Sequence, residues 1–431
     1  WTYMQIALNY GSAIYYDKAI LSVADAQSVQ SQPAKSLEEL APILINDLLP
    51  YKDVPNPNLG LLFGYSTSYS YFPVRFVLGD LYLWTGQYEN AAQEYYDLIN
   101  KNSITMSSIF SASWEVVNNA FTGVFNIYNS GYLGDYPYSQ MTNIGATNQY
   151  GQNFQLDSLT INKTLTPTPI ALRNWDSQVY SDITTAHTLY RNGDFRKYGS
   201  VSYDPKGASF DPSDTASVKH SYYIAKYLIL NPFTDTYKTD KRMTVYRTTL
   251  LYLRYAEALN RLNKPNAAFA VMKYGLNSSN LFNRTMIPRS ELNIGNIKTT
   301  VFKSSTGQDS IVHDTTFVVP PYMNFVSSKF DANVGIRARS LGTVKFDKVY
   351  YIIPKLPSMQ DSVLFVEDKI QQELALETAF EGNRFQDLMR IAIRRNDNSY
   401  LANIVAKKYT ANKEAIRAKL MNRANWYVPK Q

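Results

Sequence analysis

LGDLYLWTGQYENAAQEYYDLI, residues 78–99, decides the fold. Leu78, Gly79 and Tyr82 recur at helical spacing before Gly86, and Tyr88, Ala91 and Tyr95 resume it afterwards, so the run reads as two helices joined at a glycine turn. Gly79 and Ala91 are small where the two helices cross, and the aromatics fill the groove beside them. Pro73 stands just ahead of the apolar series Val74, Val77, Leu78, Leu81 and Tyr82, where a helix tolerates a first-turn proline. A single hairpin cannot bury its own apolar face, so the chain must supply partners for it.

Three further segments answer that demand. Residues 247–276 repeat the layout, with Ala256 at a crossing, Pro265 opening the second helix and Ala268 facing back. Residues 366–382 and 384–395 make another pair, with Gly382 as the expected left-handed cap of the first helix. Near the start, Met4, Ala7, Leu8, Gly11 and Ile14 form one stripe. Ser36 and Glu39 make a capping box before a helix carrying Leu40, Ile43, Leu44, Asp47 and Leu48. The layout is that of tetratricopeptide hairpins, but long inserts separate them, which excludes a regular solenoid. The expected class is mainly α: a tetratricopeptide-like scaffold packed against a large irregular, loop-rich part with a few short strands. One unit over 1–431 is expected, with the scaffold in 1–102, 245–276 and 366–431 and ligand-side inserts in 103–244 and 277–365. Strand-like pieces within the inserts are 116–127, 200–203, 222–230, Thr315 to Val319 and Lys348 to Ile353.

Composition narrows the function. The chain has 431 residues, 45% of them hydrophobic, and no run approaches the length of apolar sequence needed to span a bilayer. The absence of cysteine excludes disulfides, thiolate metal sites and cysteine nucleophiles. The sequence opens inside a helical pattern without an initiator Met, as expected of a processed form or fragment whose targeting segment is missing. Its net charge of +7 is uneven, because residues 384–431 carry 11 Lys/Arg against 3 Asp/Glu. Arg390, Arg394, Lys407, Lys408, Lys413, Arg417, Lys419 and Arg423 alternate with Ala, Ile and Leu. That pattern reads as a solvated helical face, or a patch for an acidic partner, rather than a nucleic-acid footprint.

Neither catalysis nor a cofactor has a specific signature. Glu377, Glu381, Arg384, Asp387 and Arg390 crowd one helix-turn-helix, and glycoside hydrolysis uses paired carboxylates. Their place around Gly382 suits ion pairs and caps between helices instead, and Glu257 reads as an inter-helix partner for an arginine. His187, His220 and His313 stand in unrelated contexts with no HExxH spacing, which argues against zinc. Asp211, Asp214 and Asp235 fall in turns, where their side chains bond to nearby backbone. The unusual count is 35 tyrosines, many in polar stretches such as 64–72, 126–140 and 172–180. A tyrosine joins a flat apolar face to a polar tip, which suits amphipathic ligands.

Several pieces in order carry a family resemblance. They are ALNYGSAIYYDKA (7–19), SLEELAPILINDLLPY (36–51), the hairpin at 74–101, GDFRKYG (193–199), YYIAKYL (222–228), TVYRTTLLYLRYAEALNRL (244–262) and ELALETAFEGNRFQDLMRIAIRR (373–395). The set resembles the SusD/RagB family of surface nutrient-binding lipoproteins. The family's usual lipid-bearing cysteine and the segment after it have no counterpart here, and residues 425–429 only faintly echo its usual ending. The resemblance implies a non-catalytic protein, held at the outer membrane of a Gram-negative cell by an N-terminal lipid. It would capture oligosaccharides and deliver them to a SusC-like TonB-dependent transporter. The alternatives are an oligopeptide-binding member of the same family, or a general tetratricopeptide interaction scaffold. No cofactor, metal or nucleic acid is implied. The expected ligand residues are Tyr132, Tyr136, Tyr138, Asn174, Trp175, Asp176 and Tyr180, with Trp114 a lesser candidate because Trp-Glu-Val-Val reads as a strand entering the core.

Overall fold

A computed structural model describes residues 1–62, 65–106, 113–117, 120–125, 140–145, 164–183, 188–194, 196–202, 222–224, 228–231, 236–239, 242–292, 298–303, 309–314, 319–338, 344–346 and 351–429. The main helices are α1 (Thr2–Tyr10), α2 (Val23–Gln30), α3 (Leu37–Leu48), α4 (Val74–Trp84), α5 (Tyr88–Lys101), α6 (Pro169–Asp176), α7 (Thr248–Arg261), α8 (Pro265–Lys273), α9 (Met359–Glu377), α10 (Arg384–Arg395), α11 (Asn398–Ala406) and α12 (Lys413–Leu420). Strands β1 (Ser113–Val117) and β2 (Ala120–Phe125) pair antiparallel, and β3 (Gln140–Gly145) pairs with β8 (Arg242–Arg247). A three-stranded sheet contains β4 (Val179–Ile183), β5 (Thr188–Asn192) and β11 (Val344–Phe346), with β4 central. β6 (Leu228–Asn231) with β7 (Thr236–Thr239), and β9 (Lys298–Lys303) with β10 (Asp309–Asp314), are simple antiparallel pairs. The protein is mainly helical, and most of its small sheets fall in the inserts, with a further two-stranded pair at Leu61–Leu62 and Tyr65–Ser66.

The α4–α5 hairpin shows why its sequence is so constrained. Gly86 makes the turn with φ +78°, a backbone conformation that glycine reaches without a Cβ penalty. A Cβ built on Gly79 would lie 2.3 Å from the Tyr95 ring, so only glycine admits that ring at the crossing. Tyr95 then donates from its hydroxyl to Asp80 at 2.6 Å, and Tyr246 donates to the other Asp80 oxygen at 2.8 Å. Phe76 stacks on Tyr246 with centroids 3.9 Å apart. The buried Asp80 carboxyl is pushed above its ordinary range by desolvation, against the pull of Arg254 and the two phenols.

α7 lies at the centre, against α5, α8 and α9, and every residue from Thr248 to Asn260 is buried. A helix buried all round needs apolar residues on every face or a partner for each polar one. Arg254 is paired with Asp387, Glu257 accepts from Arg390 at 2.6 and 2.9 Å and from Arg394 at 2.9 Å, and Asn260 donates to the Val363 carbonyl at 2.9 Å. Burial works against the charge of Glu257, but the guanidinium groups of Arg390 and Arg394 outweigh it and hold the carboxyl well below its usual range. The expected inter-helix role of Glu257 is thus met by two arginines of α10. One core cluster runs from Met4 through these helices to Trp426.

Four expectations are corrected. Arg390 and Arg394 do not belong to a solvated face; Arg390 is buried, Arg394 is half-buried, and they pair with carboxylates of α7 and α9. α1 stops at Tyr10, because Gly11 takes φ +83° and turns the chain, so Ile14 leaves the stripe of Met4, Ala7 and Leu8. α9 stops at Glu377 rather than at Gly382; Phe380 and Gly382 both take positive φ in the connecting loop. Tyr351 and Ile352 form a bend, not a strand: Tyr351 stacks on Phe269 at 4.7 Å under Arg337, which anchors the chain through a side chain rather than a ladder. Other expectations hold. Ser36 and Glu39 make both bonds of the capping box, and Pro265 opens α8. Ser113–Val117 is a strand, as Trp114 suggested. Thr315 to Val318, His187, His220, Asp211, Asp214 and Asp235 lie outside the described residues.

Candidate functional site

Of the expected ligand residues, Tyr132, Tyr136 and Tyr138 lie outside the described residues. Asn174, Trp175 and Asp176 are consecutive on α6, and Tyr180 follows on β4. Consecutive helical residues project about 100° apart, so a helix lying on a scaffold cannot present three of them to one ligand. α6 faces inward with Trp175, which is 1% exposed and packs with Val201 and Leu376. Its indole N–H donates to the Leu376 carbonyl at 3.3 Å, and the Phe380 ring lies 6.0 Å away. A stacking platform needs a free face, and Trp175 has none here.

Its neighbours point elsewhere. Asp176 is exposed and accepts from the Lys197 ammonium at 2.7 Å, and that ammonium lies 5.5 Å from the Tyr222 ring centroid. Asn174 is half-buried, and its carbonyl accepts from the Gln178 side chain at 2.8 Å. Arg173, Asp176 and Ser177 form the open edge of α6. This edge carries donors and acceptors of both charges on a short helix whose start is fixed: Thr168 caps it and Pro169 occupies its first position.

Behind α6 runs a line of buried charge. Arg337 joins the Gln178 side chain at 2.8 Å to Glu373 at 2.9 Å. Arg196 joins Asp194, Glu373 and Glu377 at 2.5 to 2.9 Å. Arg247 then joins Glu377 and Glu381 at 2.8 and 2.9 Å. These carboxylates face guanidinium groups inside the fold rather than each other across a cleft, so they hold elements in place. Among the described residues no group of three or more His, Cys, Asp or Glu side chains is placed to hold a metal ion. Sequence reasoning missed Lys197, Gln178 and Arg337 because each acts across loops of no fixed period. Nothing in the run GDFRKYG shows that Lys197 meets a residue 21 positions earlier.

This scaffold of helical hairpins with short sheets in its inserts is found in solved structures. A SusD-like carbohydrate-binding protein from Bacteroides fragilis superposes with a TM-score of 0.50 at 12% identity, over 92% of this chain and 66% of its own. A SusD-like carbohydrate-binding protein from Bacteroides vulgatus gives 0.44 at 15% identity, over 90% of this chain and 60% of its own. A laminarin-binding SusD-like protein gives 0.41 at 14% identity, over 99% and 75%. The chain spans less than two thirds of the length of the first two. No curated protein matches the sequence at a significant level. The first superposition defines the class, a protein of SusD-like fold. Residues 96–274, from α5 to just past α8, match the profile of the SusD family.

Proposed function

We propose that this protein is a non-catalytic surface binding protein that captures oligosaccharides. In this reading it delivers them to a SusC-like TonB-dependent transporter and is held at the outer membrane by an N-terminal lipid. The whole chain acts as one unit, with the inserts on the ligand side. The observation that supports this best is the family match, which takes in the tyrosine-rich insert and α6 as well as scaffold helices. The solved proteins of like fold include carbohydrate binders by name.

The ligand is met by tyrosines of the insert, Tyr132, Tyr136, Tyr138 and Tyr180, stacking on sugar faces. Asn174 and Asp176 bond to hydroxyls beside them, the usual combination of apolar rings with a few convergent polar groups. Trp175 serves this site as the peg that seats α6. A glycan array followed by calorimetry, with an oligopeptide pool in parallel, tests the proposal. A glycan hit weakened about tenfold by Tyr136→Ala, the scale of one lost aromatic contact, supports it. A peptide hit with silence on glycans moves the function to peptide uptake.

A further inference from the structure

The last 34 residues, 398–431, contain seven Lys/Arg and one Asp/Glu, a net +6 against +7 for the whole chain. The arginines of α10 leave little charge for the surface, since Arg390, Arg394 and Arg395 face Glu257, Glu367 and Asp368. Of the charge that remains, Lys407, Lys408, Lys413, Arg417 and Lys419 sit on the hairpin of α11 and α12, with Glu414 the one acid there. Every residue from 407 to 415 is exposed, and this turn carries Lys407, Lys408, Tyr409 and Lys413 against the single carboxylate of Glu414. No carboxylate holds any of these three lysines among the described residues. The hairpin beneath is firm: Leu401, Ala402, Ala406 and Leu420 are buried, and Arg417 bonds to Asn403 across it at 2.6 Å.

We infer that this turn is a contact surface for an anionic lipid bilayer. Interfaces between proteins are depleted in lysine and favour arginine, whose planar fork makes paired bonds. A layer of phosphate headgroups is met instead by flexible point charges, each lysine near the surface adding to the attraction. Tyr409 among the lysines suits the headgroup level, where tyrosine places its ring and hydroxyl in different media. Such a basic patch does not anchor a protein alone, but one acyl chain together with a polybasic patch does. The inference stands on charge and exposure and is independent of glycan capture.

The test is flotation of the unlipidated 431-residue chain with vesicles of phosphatidylcholine alone, or of phosphatidylcholine and phosphatidylglycerol in equal parts. The chain is expected to float with the anionic vesicles only, and less so as sodium chloride is raised. The triple reversal Lys407→Glu, Lys408→Glu, Lys413→Glu should lower partitioning roughly a hundredfold while thermal unfolding is unchanged. The reversal of Lys18 and Lys355, exposed elsewhere, should retain binding. Equal binding to neutral vesicles, no binding by the natural chain, or full binding by the triple variant would overturn the inference. Displacement by inorganic phosphate at matched ionic strength would overturn it too, by revealing a discrete anion site.

Discussion

The centre of the scaffold and the corner that carries α6 are both helices laid on helices, yet they are held differently. At the centre, Arg254 and Glu257 of α7 meet Asp387, Arg390 and Arg394 of α10, and Asn260 meets the backbone of α9. At the corner, α6 is seated by one tryptophan in a cluster of three buried residues, with Asp176 and Lys197 closing its edge. Loss of one group at the centre strands others in a medium without water. Loss of one group at the corner frees a single helix. Depth of support, rather than helix propensity, therefore separates the part that defines the fold from the part proposed to meet a ligand.

Removing Glu257 should have the largest effect. Glu257→Ala leaves Arg390 and Arg394 facing each other without their shared carboxylate, and breaking a buried pair in this way costs about 3–5 kcal/mol. A urea melt gives the loss directly; a change below about 1 kcal/mol would mean that water or another acid replaces the carboxylate. The pH dependence has a fixed sign. The folded state holds Glu257 below its ordinary value of 4.5, so its stabilisation is complete above that value and lost as pH falls below it. The gap in stability between the natural chain and Glu257→Gln should therefore shrink on acidification below that value, and a constant gap would contradict the assignment.

Trp175→Ala comes next. A buried tryptophan truncated to alanine costs about 3 kcal/mol, and here the loss should fall on α6 and its neighbours first. Limited proteolysis should then cut within 164–202 at denaturant concentrations where the α4–α5 hairpin is still protected. Simultaneous loss of both would show that corner and centre form one cooperative unit. Gly79→Ala gives a smaller but sharper result. Its Cβ would meet the Tyr95 ring at 2.3 Å, and overpacking of this kind costs about 1–3 kcal/mol. The Tyr95→Phe variant, which keeps the ring and drops the bond to Asp80, should not relieve it.

The same contrast explains what was legible beforehand. Gly79, Ala91, Tyr95, Ala256 and Pro265 could be placed because a helical hairpin repeats small and aromatic residues at fixed spacing, and that spacing is written in the chain. Glu257 could be assigned an arginine because a carboxylate inside an apolar helix has few other uses. Which arginine could not be read, since Arg390 lies 133 residues away. Arg390 and Arg394 were misjudged for a related reason: a charged residue at helical spacing looks the same in sequence whether its face meets solvent or a buried acid. The corner that carries α6 was less legible still. Trp175 was picked out for its polar neighbourhood, but the helical rotation between adjacent residues turned it inward while Asp176 went outward. The chemistry of the segment was apparent; the direction of each side chain was not.

The smallest expected effect belongs to the Asp176–Lys197 pair, and it tests the comparison most finely. Asp176 is half exposed at its side chain, so its 2.7 Å contact is screened by water and contributes about 0–1 kcal/mol. Lys197→Met keeps much of the buried stem and removes the charge, and it should move the urea midpoint barely at all. Its consequence should instead appear in ligand binding, because Asp176 would be released from its ammonium partner and its carboxylate left open to a hydroxyl. A stability loss above about 2 kcal/mol would place Lys197 among the supports of the fold, with Arg196 and Arg337, and would move the boundary between frame and site outward by one layer. A change in glycan affinity at constant stability would keep the boundary where the burial of Trp175 and the exposure of Asp176 draw it.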